Sequence, residues 1–365
     1  GRPIPGTFAD DEELFAFADV LGRHGKGVFE SAPRFEKAGA DWSGLKHEIK
    51  TLGEVTRRSG RPSTFGLVYN AVRPDMSDVA LAEVAAENRK GAELRPQTTC
   101  RPIGVVLGIQ HRTPWARAGE TWKSMQDMNL GERLALIRDS NTRRMLIEEA
   151  NNPEKIHGGG SAMVDLSRLY LLDAENPDYR VGPEGTLEAK AAQAGVTPVE
   201  YFLAETDRSD GSVMLSLPIL NQDYEAIETM MADEAIVMGL ADAGAHVGQI
   251  MDSSQPTYFL SHWVRDTGFF TLEEGVRRIT SDTADLFGLV DRGRIVEGAY
   301  ADVNVIDFER LSLIGPEYVH DFPGGAGRYI QRGTGYDVTI VNGKVFMEDG
   351  EHTGELAGVT LRSTD

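Results

Sequence analysis

Three stretches bring side chains able to move protons or grip polar ligands to points where buried strands should end. "AIVMGLAD" is apolar from Ala235 to Ala241 and then delivers Asp242, with "AGAHVG" and His246 directly after it. "GVFES" ends in polar residues, with Glu30 inside it and Arg34 just beyond, and "STFGLVYN" ends in Tyr69 and Asn70. "AELRPQTTC" ends in Cys100, with Arg101 next. In a parallel βα array, side chains just beyond the carboxyl ends of the strands converge on one site. A carboxylate held there can take a proton from water and pass it to a leaving amine. Asp242 could equally close an Asx-turn, with His246 an ordinary loop histidine. Spacing alone leaves both readings open.

Metal binding calls for imidazoles at set spacings. The histidines are His24, His47, His111, His157, His246, His262, His320 and His352, and none pairs as His-x-His or His-x-x-x-His. A complete metal site therefore cannot be read from them. His262 lies on the amphipathic "YFLSHWV" and reads as packed, while His24, His47 and His352 read as surface positions. "HGGGSA", from His157 to Ala162, is like the oxyanion loop of some esterases, but those also need Gly-x-Ser-x-Gly, which is absent. It reads as a flexible glycine turn. Neither a P-loop nor a dinucleotide-binding fingerprint occurs.

The elements that would position these residues alternate. After "GVFES", Leu45, Ile49, Leu52 and Val55 recur at helical spacing, predicting a helix over about 42–59. Strand "RPSTFGLVYN", helix "DMSDVALAEVAAENRKG" and strand "AELRPQTTC" follow, a βαβαβ rhythm that predicts parallel strands near 27–31, 63–69, 92–98 and 235–242. From Thr113 to about Thr206 the pattern loosens into helices and loops, read as insertions over the functional edge of the sheet. The rhythm returns with helix "DYEAIETMMADE", strand "AIVMGLAD" and helices "PTYFLSHWVRD" and "TLEEGVRRITSDTADLFGL". After Gly288, "ADVNVIDF", "VTIVNGKVFMEDG" and "GVTLR" alternate as β segments, predicting antiparallel strands outside the parallel sheet.

Composition narrows the function classes. With 37 Lys+Arg against 57 Asp+Glu, the 365-residue chain carries a net charge of −20, which repels phosphate backbones and anionic headgroups. Nucleic acid and membrane partners are therefore not expected. No apolar run approaches the ~20 residues of a membrane helix, and no signal peptide is visible. The single cysteine rules out an intramolecular disulfide and suits a reducing cytoplasm.

"DRGRIVEGAYADVNVIDFERL" followed by "VTIVNGKVFMEDGEHTGELAG" resembles the C-terminal signature of the amidohydrolase superfamily. "MGLADAGAHVGQIMDSSQPTYFLSHWVRD" with "EEGVRRITSDTADLFGL" is similar to its N-acyl-D-amino-acid deacylase (D-aminoacylase) branch. The resemblance implies a (β/α) barrel represented by its later strands over residues 1–290, and a C-terminal β-sandwich segment over 291–365. It implies that the chain is the later part of a longer protein, since Gly1 matches a point inside the family's barrel. It also implies a hydrolase of carbon–nitrogen bonds acting on a small-molecule amide, linear or cyclic. Zinc or another divalent metal would activate water there, in a site that this chain alone does not complete. Asp242 falls where the family has its general acid/base, and it is also a candidate metal ligand. Arg34, Tyr69 and His246 fall where substrate would be gripped, and homo-oligomer formation is left open.

Two departures matter. The family's His-x-Arg and Ser-His-x-Lys would place histidines where this chain has Ala32 and Leu67, with Tyr69 at the lysine position. The resemblance, so altered, implies a mononuclear site. Where the family often has His-Pro-Arg to grip the substrate carboxylate, this chain reads Ser254-Gln255-Pro256, and the forked cation is gone. The alternative expectation is a catalytically silent relative that binds a small molecule or partner.

Overall fold

The computed structural model describes residues 8–33, 35, 39–152, 165–173, 177–180, 182–239, 243–244, 246–249 and 252–361. Four short strands form its parallel array: β1 (Phe29–Ser31), β2 (Ser63–Phe65), β3 (Gln97–Thr98) and β7 (Val237–Met238). β1 and β2 pair through Glu30 and Thr64, and parallel bridges Ser63–Leu94 and Gly66–Gln97 carry the array to β3. Gln97 and Thr98 then pair with Val237 and Met238 of β7. The parallel strands are thus those expected, though shorter, and in the order β1-β2-β3-β7.

Side chains alternate across such strands, so each face has its own chemistry. Phe65, Leu94 and Ile236 join one core with α2 (Ser43–Ser59), α3 (Met76–Asn88) and α9 (Tyr224–Ala232), which contribute Ile49, Val84 and Met230 among others. The opposite face is polar: Gln97 Nε2 donates to Glu30 at 3.2 Å and to Thr64 Oγ1 at 2.9 Å. Helix α1 (Asp11–His24), which the apolar pattern does not announce, packs on α2 and is bounded by an Asp10 cap and a left-handed Gly25.

The largest departure from expectation lies between Arg101 and Asn221. Here β4 (Ile103–Gly108), β5 (Tyr170–Leu172) and β6 (Met214–Leu220) form an antiparallel sheet, ordered β4-β6-β5; β5 falls within the stretch from Thr113 to about Thr206 expected to hold helices and loops, and β4 and β6 flank it where no strand was expected. Val106, Leu172 and Met214 turn toward the first core, whereas Leu107 and Leu215 turn toward a second. That second core is closed by Trp115, α4 (Glu120–Ser124), α5 (Leu130–Arg138), α6 (Ser140–Ala150), α7 (Leu187–Ala194) and α8 (Pro198–Arg208). Arg133, 7% exposed, holds the loop after β4 by donating to the carbonyls of Ile109, His111, Gln126 and Met128 at 2.7–2.9 Å.

After β7, α10 (Gln255–Tyr258) runs into a π-helical segment, Phe259–Asp266. The single helix expected over 271–289 is two, α11 (Leu272–Ile279) and α12 (Ser281–Phe287), broken at Thr280 with φ −126° and ψ −86°. In the tail, β8 (Val303–Ile306), β13 (Tyr336–Val341), β14 (Lys344–Glu348) and β15 (Glu351–His352) form an antiparallel sheet. Two small pairs flank it: β9 (Ser312–Leu313) with β12 (Gly333–Thr334), and β10 (Glu317–Val319) with β11 (Arg328–Ile330). "ADVNVIDF" therefore pairs with β13 and not with the parallel array.

One charged group is built into the α2–α3 contact. The Glu87 side chain is 2% exposed and accepts from Arg57 at 2.8 Å and Lys90 at 2.7 Å. Burial pushes its carboxyl up, but the Lys90 and Arg57 hydrogen bonds outweigh that and hold it below the usual glutamate value. A depressed carboxyl contributes stability above its unfolded value and loses it as pH falls through the folded one. Replacing Arg57 and Lys90 by Met should therefore destabilise the protein at pH 7 and narrow the gap to the parent below about pH 4; urea midpoints across pH measure this. Gly53 lies under the same carboxylate, and a Cβ there would come within 2.6 Å of Glu87 Oε2. Gly53→Ala, ordinarily a gain of up to about 1 kcal/mol in a helix, should lower the urea midpoint; a rise would contradict this packing.

Candidate active site

β3 runs directly into Thr99, Cys100 and Arg101, and three hydrogen-bonded groups fix that corner. Asn221, fully buried just past β6, donates from Nδ2 to Thr99 Oγ1 at 2.7 Å, and its Oδ1 accepts from the Tyr69 amide at 2.6 Å. Its backbone adopts φ +54°, a left-handed value that asparagine tolerates better than most residues. Tyr69, beyond β2, is thereby tied to the end of β3. Burial, then the nearby Asp223 and Asp75, push its hydroxyl above the ordinary tyrosine value, so it stays a protonated donor.

Arg101 anchors the next layer. Its guanidinium, 2% exposed, donates to Asp252 at 2.6 Å, to Ser254 Oγ at 2.8 Å and to the Pro102 carbonyl at 3.1 Å. It also lies 3.9 Å above the Tyr179 ring. Asp252 Oδ2 in turn accepts from the Gly104 amide at 3.2 Å. Cys100 is bound on three sides: its amide and thiol donate to Gln255, and its carbonyl accepts from Trp263 Nε1 at 2.6 Å. Burial pushes the thiol up to about 12, so it is a neutral wall and not a nucleophile.

Between these corners lies a cavity of about 230 Å³, lined by Thr99, Cys100, Met238, Gly239, Gln255, Pro256, Phe259, Ile279 and Thr283. It sits where β3 and β7 end side by side. Gly239 leads on toward position 242, and a Cβ there would lie 2.8 Å from Gln97 Oε1.

The sequence-designated residues fare differently. Tyr69 joins the strand-end network. His246 stands on an exposed turn at φ +46°, its carbonyl accepting from the Gln249 amide at 2.7 Å. Asp242, Arg34 and the "HGGGSA" stretch lie outside the described residues. His262 is packed as its helix implies, stacked 4.9 Å from Tyr258. At the two positions where histidines would serve a metal, Leu67 is fully buried in the first core and Ala32 is an exposed methyl. Among the described residues no group of three or more His, Cys, Asp or Glu is placed to hold an ion. These residues do not fit a metal centre.

One residue that spacing did not single out approaches the loop after Asp242. His111 stacks 5.1 Å from Tyr318, with Nδ1 3.1 Å from its hydroxyl, and a Cβ on Gly248 would come within 2.8 Å of its Nε2. Burial, then Arg133 and Arg112, lower its pKa, so the imidazole is neutral at neutral pH. Only the approach of β4 and the tail to one loop reveals it: Val106 donates to the Gln249 carbonyl and Tyr329 to that of Val247.

The Arg101–Asp252 pair is the site's most exacting contact. Removing one charge of a buried pair strands the other, at a cost of about 3–5 kcal/mol. Asp252→Asn should therefore lower unfolding free energy by about 3 kcal/mol, read from urea denaturation. A loss below about 1 kcal/mol, the level of an exposed pair, would mean that the corner is not held by this charge.

Residues 186–347 match the amidohydrolase family model. D-aminoacylase of Alcaligenes xylosoxydans xylosoxydans is 32% identical over 105 residues, which are 29% of this chain and 20% of that protein. N-acyl-D-glutamate deacylase of the same organism is 47% identical over 55 residues, 15% of this chain and 11% of the relative. Dihydroorotase of Bacillus cereus is 28% identical over 140 residues, 34% and 32% of the two chains. The chain thus spans a third or less of these curated relatives. A solved D-aminoacylase variant in complex with copper chloride aligns at TM-score 0.54 and 19% identity, covering 98% of this chain and 60% of that one. A D-aminoacylase structure concerned with the enzyme's binuclear metal centre gives the same values. Among the described residues, no helix is long and apolar enough to cross a membrane. The resemblance carried by the tail and the strand-end motif is borne out: residues 186–347 match the amidohydrolase family model, and the α/β fold is similar to that of D-aminoacylase.

Proposed function

We propose that the full-length protein hydrolyses the carbon–nitrogen bond of a small amide, an N-acyl amino acid or a cyclic amide, with Asp242 as general acid/base. One observation carries this reading. β3 and β7 pair in parallel and end together at a cavity, and the chain continues from β7 within the family-matched segment to Asp242. In this reading the parallel strands are the later part of a (β/α) barrel, and the tail sheet is a share of a β-sandwich. Asp242 takes a proton from the attacking water and returns it to the leaving nitrogen. Tyr69, kept protonated, offers a hydrogen bond to the substrate, with Arg34 and His246 as further binding groups. D-aminoacylase is described with copper and with a binuclear centre. A zinc or other divalent metal in this protein would depend on ligands outside the described residues.

A second reading, a catalytically silent relative that binds a small molecule, is favoured by Leu67 and Ala32. Leu67 is fully buried and its hydrocarbon side chain has no atom that can ligate a metal.

Asp242→Asn in the full-length protein decides between them. The hydrolase reading expects turnover of a substrate that the parent cleaves to fall by about 10²–10⁴, with thermal unfolding little changed. Near-normal turnover would return Asp242 to a turn role. A folded parent that cleaves no N-acyl amino acid or cyclic amide supports the silent relative.

A further inference from the structure

Residues 246–249 follow Asp242 in the chain and are gripped on both sides of Gly248. The amide of Tyr329, on β11, donates to the Val247 carbonyl at 2.9 Å, and that of Val106, on β4, donates to the Gln249 carbonyl at 2.7 Å. Gly248 lies between these two bonds and against a side chain. A Cβ built on it would meet the His111 ring at Nε2 (2.8 Å), Cε1 (3.3 Å) and Cδ2 (3.4 Å). Gly248 is outside the left-handed region, so its backbone does not call for glycine. The imidazole edge does.

The ring itself has little freedom. Its Nδ1 is 3.1 Å from the Tyr318 hydroxyl on β10, and the two rings stack at 5.1 Å with 18° between their planes. Its backbone is held as well. The His111 amide donates to the Gly108 carbonyl at the end of β4 at 3.2 Å, and its own carbonyl accepts from Arg133 of α5 at 2.9 Å. At His111 the inserted sheet, the helical lobe and the tail thus bear together on one glycine. Close-packed contacts yield little, so they pass a displacement on.

We infer that His111 is a positioning residue for the proposed hydrolysis. Its ring is a spacer that sets where the segment after Asp242 lies, and through it the placement of that carboxylate against the substrate. The inference rests on the hydrolase reading for its effect on rate. Misplacing a reacting group by about 1 Å can cost on the order of a hundredfold. A spacer that never touches substrate can therefore govern kcat. His111→Ala removes the spacer, and Gly248→Ala presses a methyl against it, so both displace the same segment by changing the same contact.

The test combines turnover with amide hydrogen exchange on the full-length protein. For the N-acyl amino acid that the parent cleaves fastest, His111→Ala and Gly248→Ala should each lower kcat at least about tenfold, with KM within about threefold. The double variant should be no slower than the slower single one, because both changes act on one contact. His111→Phe, which returns a ring to the stack on Tyr318, should recover most of the loss. Exchange is read at the Val106, Gln249 and Tyr329 amides, which bond to or within the segment. His111→Ala should speed it at least about tenfold there, with Leu215 of β6 as the unchanged reference. A His111→Ala protein with kcat within about threefold of the parent, or losses that multiply in the double variant, would overturn the inference. A folded parent that cleaves no N-acyl amino acid or cyclic amide sinks the hydrolase reading instead. Faster exchange confined to those amides would then leave the spacer standing, and unchanged exchange would overturn it too.

Discussion

A buried guanidinium–carboxylate contact holds the strand-end region together. Arg101 and Asp252 are 151 residues apart in the chain and meet at 2.6 Å with both side chains almost wholly shielded from water. Neither charge is tolerable there alone. Asp252 therefore has to stand over the end of β3, and with it the start of α10. Ser254, Gln255 and Trp263 repeat the constraint, each reaching the Thr99–Arg101 corner. In the chain, Asp242 falls between two fixed points, β7 before it and Asp252 after it.

The inserted sheet serves the same end from above. Because β4, β5 and β6 alternate their side chains between two cores, the insert is a slab shared by the parallel array and the helical lobe. A loop-rich lid would drift; a shared slab cannot move without exposing one core or the other. Through Val106 and Tyr329 it also engages the loop of Val247 and Gln249, so insert and tail both meet the strand-end region.

How much of this could be read from the residues varies with the range of the interactions. Helix α2 was legible because Leu45, Ile49, Leu52 and Val55 repeat on one face, and all four are buried. The parallel strands were legible as apolar runs ending in polar residues, but their lengths were not: Pro96 precedes β3 and cannot donate to a ladder. The sheet of β4, β5 and β6 was missed because its central strand β6 pairs with β4 more than a hundred positions earlier and with β5 more than forty earlier, and Pro218 within β6 argues against a strand there. At the site, Tyr69 and Cys100 were found by strand-end position alone. Asn221 and His111 were not, since their roles depend on contacts 122 and 207 residues away. Asp242 drew its significance from the family signature, because spacing could not separate a catalytic carboxylate from a turn.

In the proposed hydrolase reading, Asp242 serves as the acid/base carboxylate while the two positions that the resemblance assigns to imidazoles of a second metal carry other side chains. Leu67 and Ala32 occupy those positions, one sealed in the core and the other a bare methyl. Metal analysis of the full-length protein, purified with zinc supplied and then dialysed, tests this most directly. The account predicts no more than one equivalent per chain. Two tightly held equivalents would contradict it.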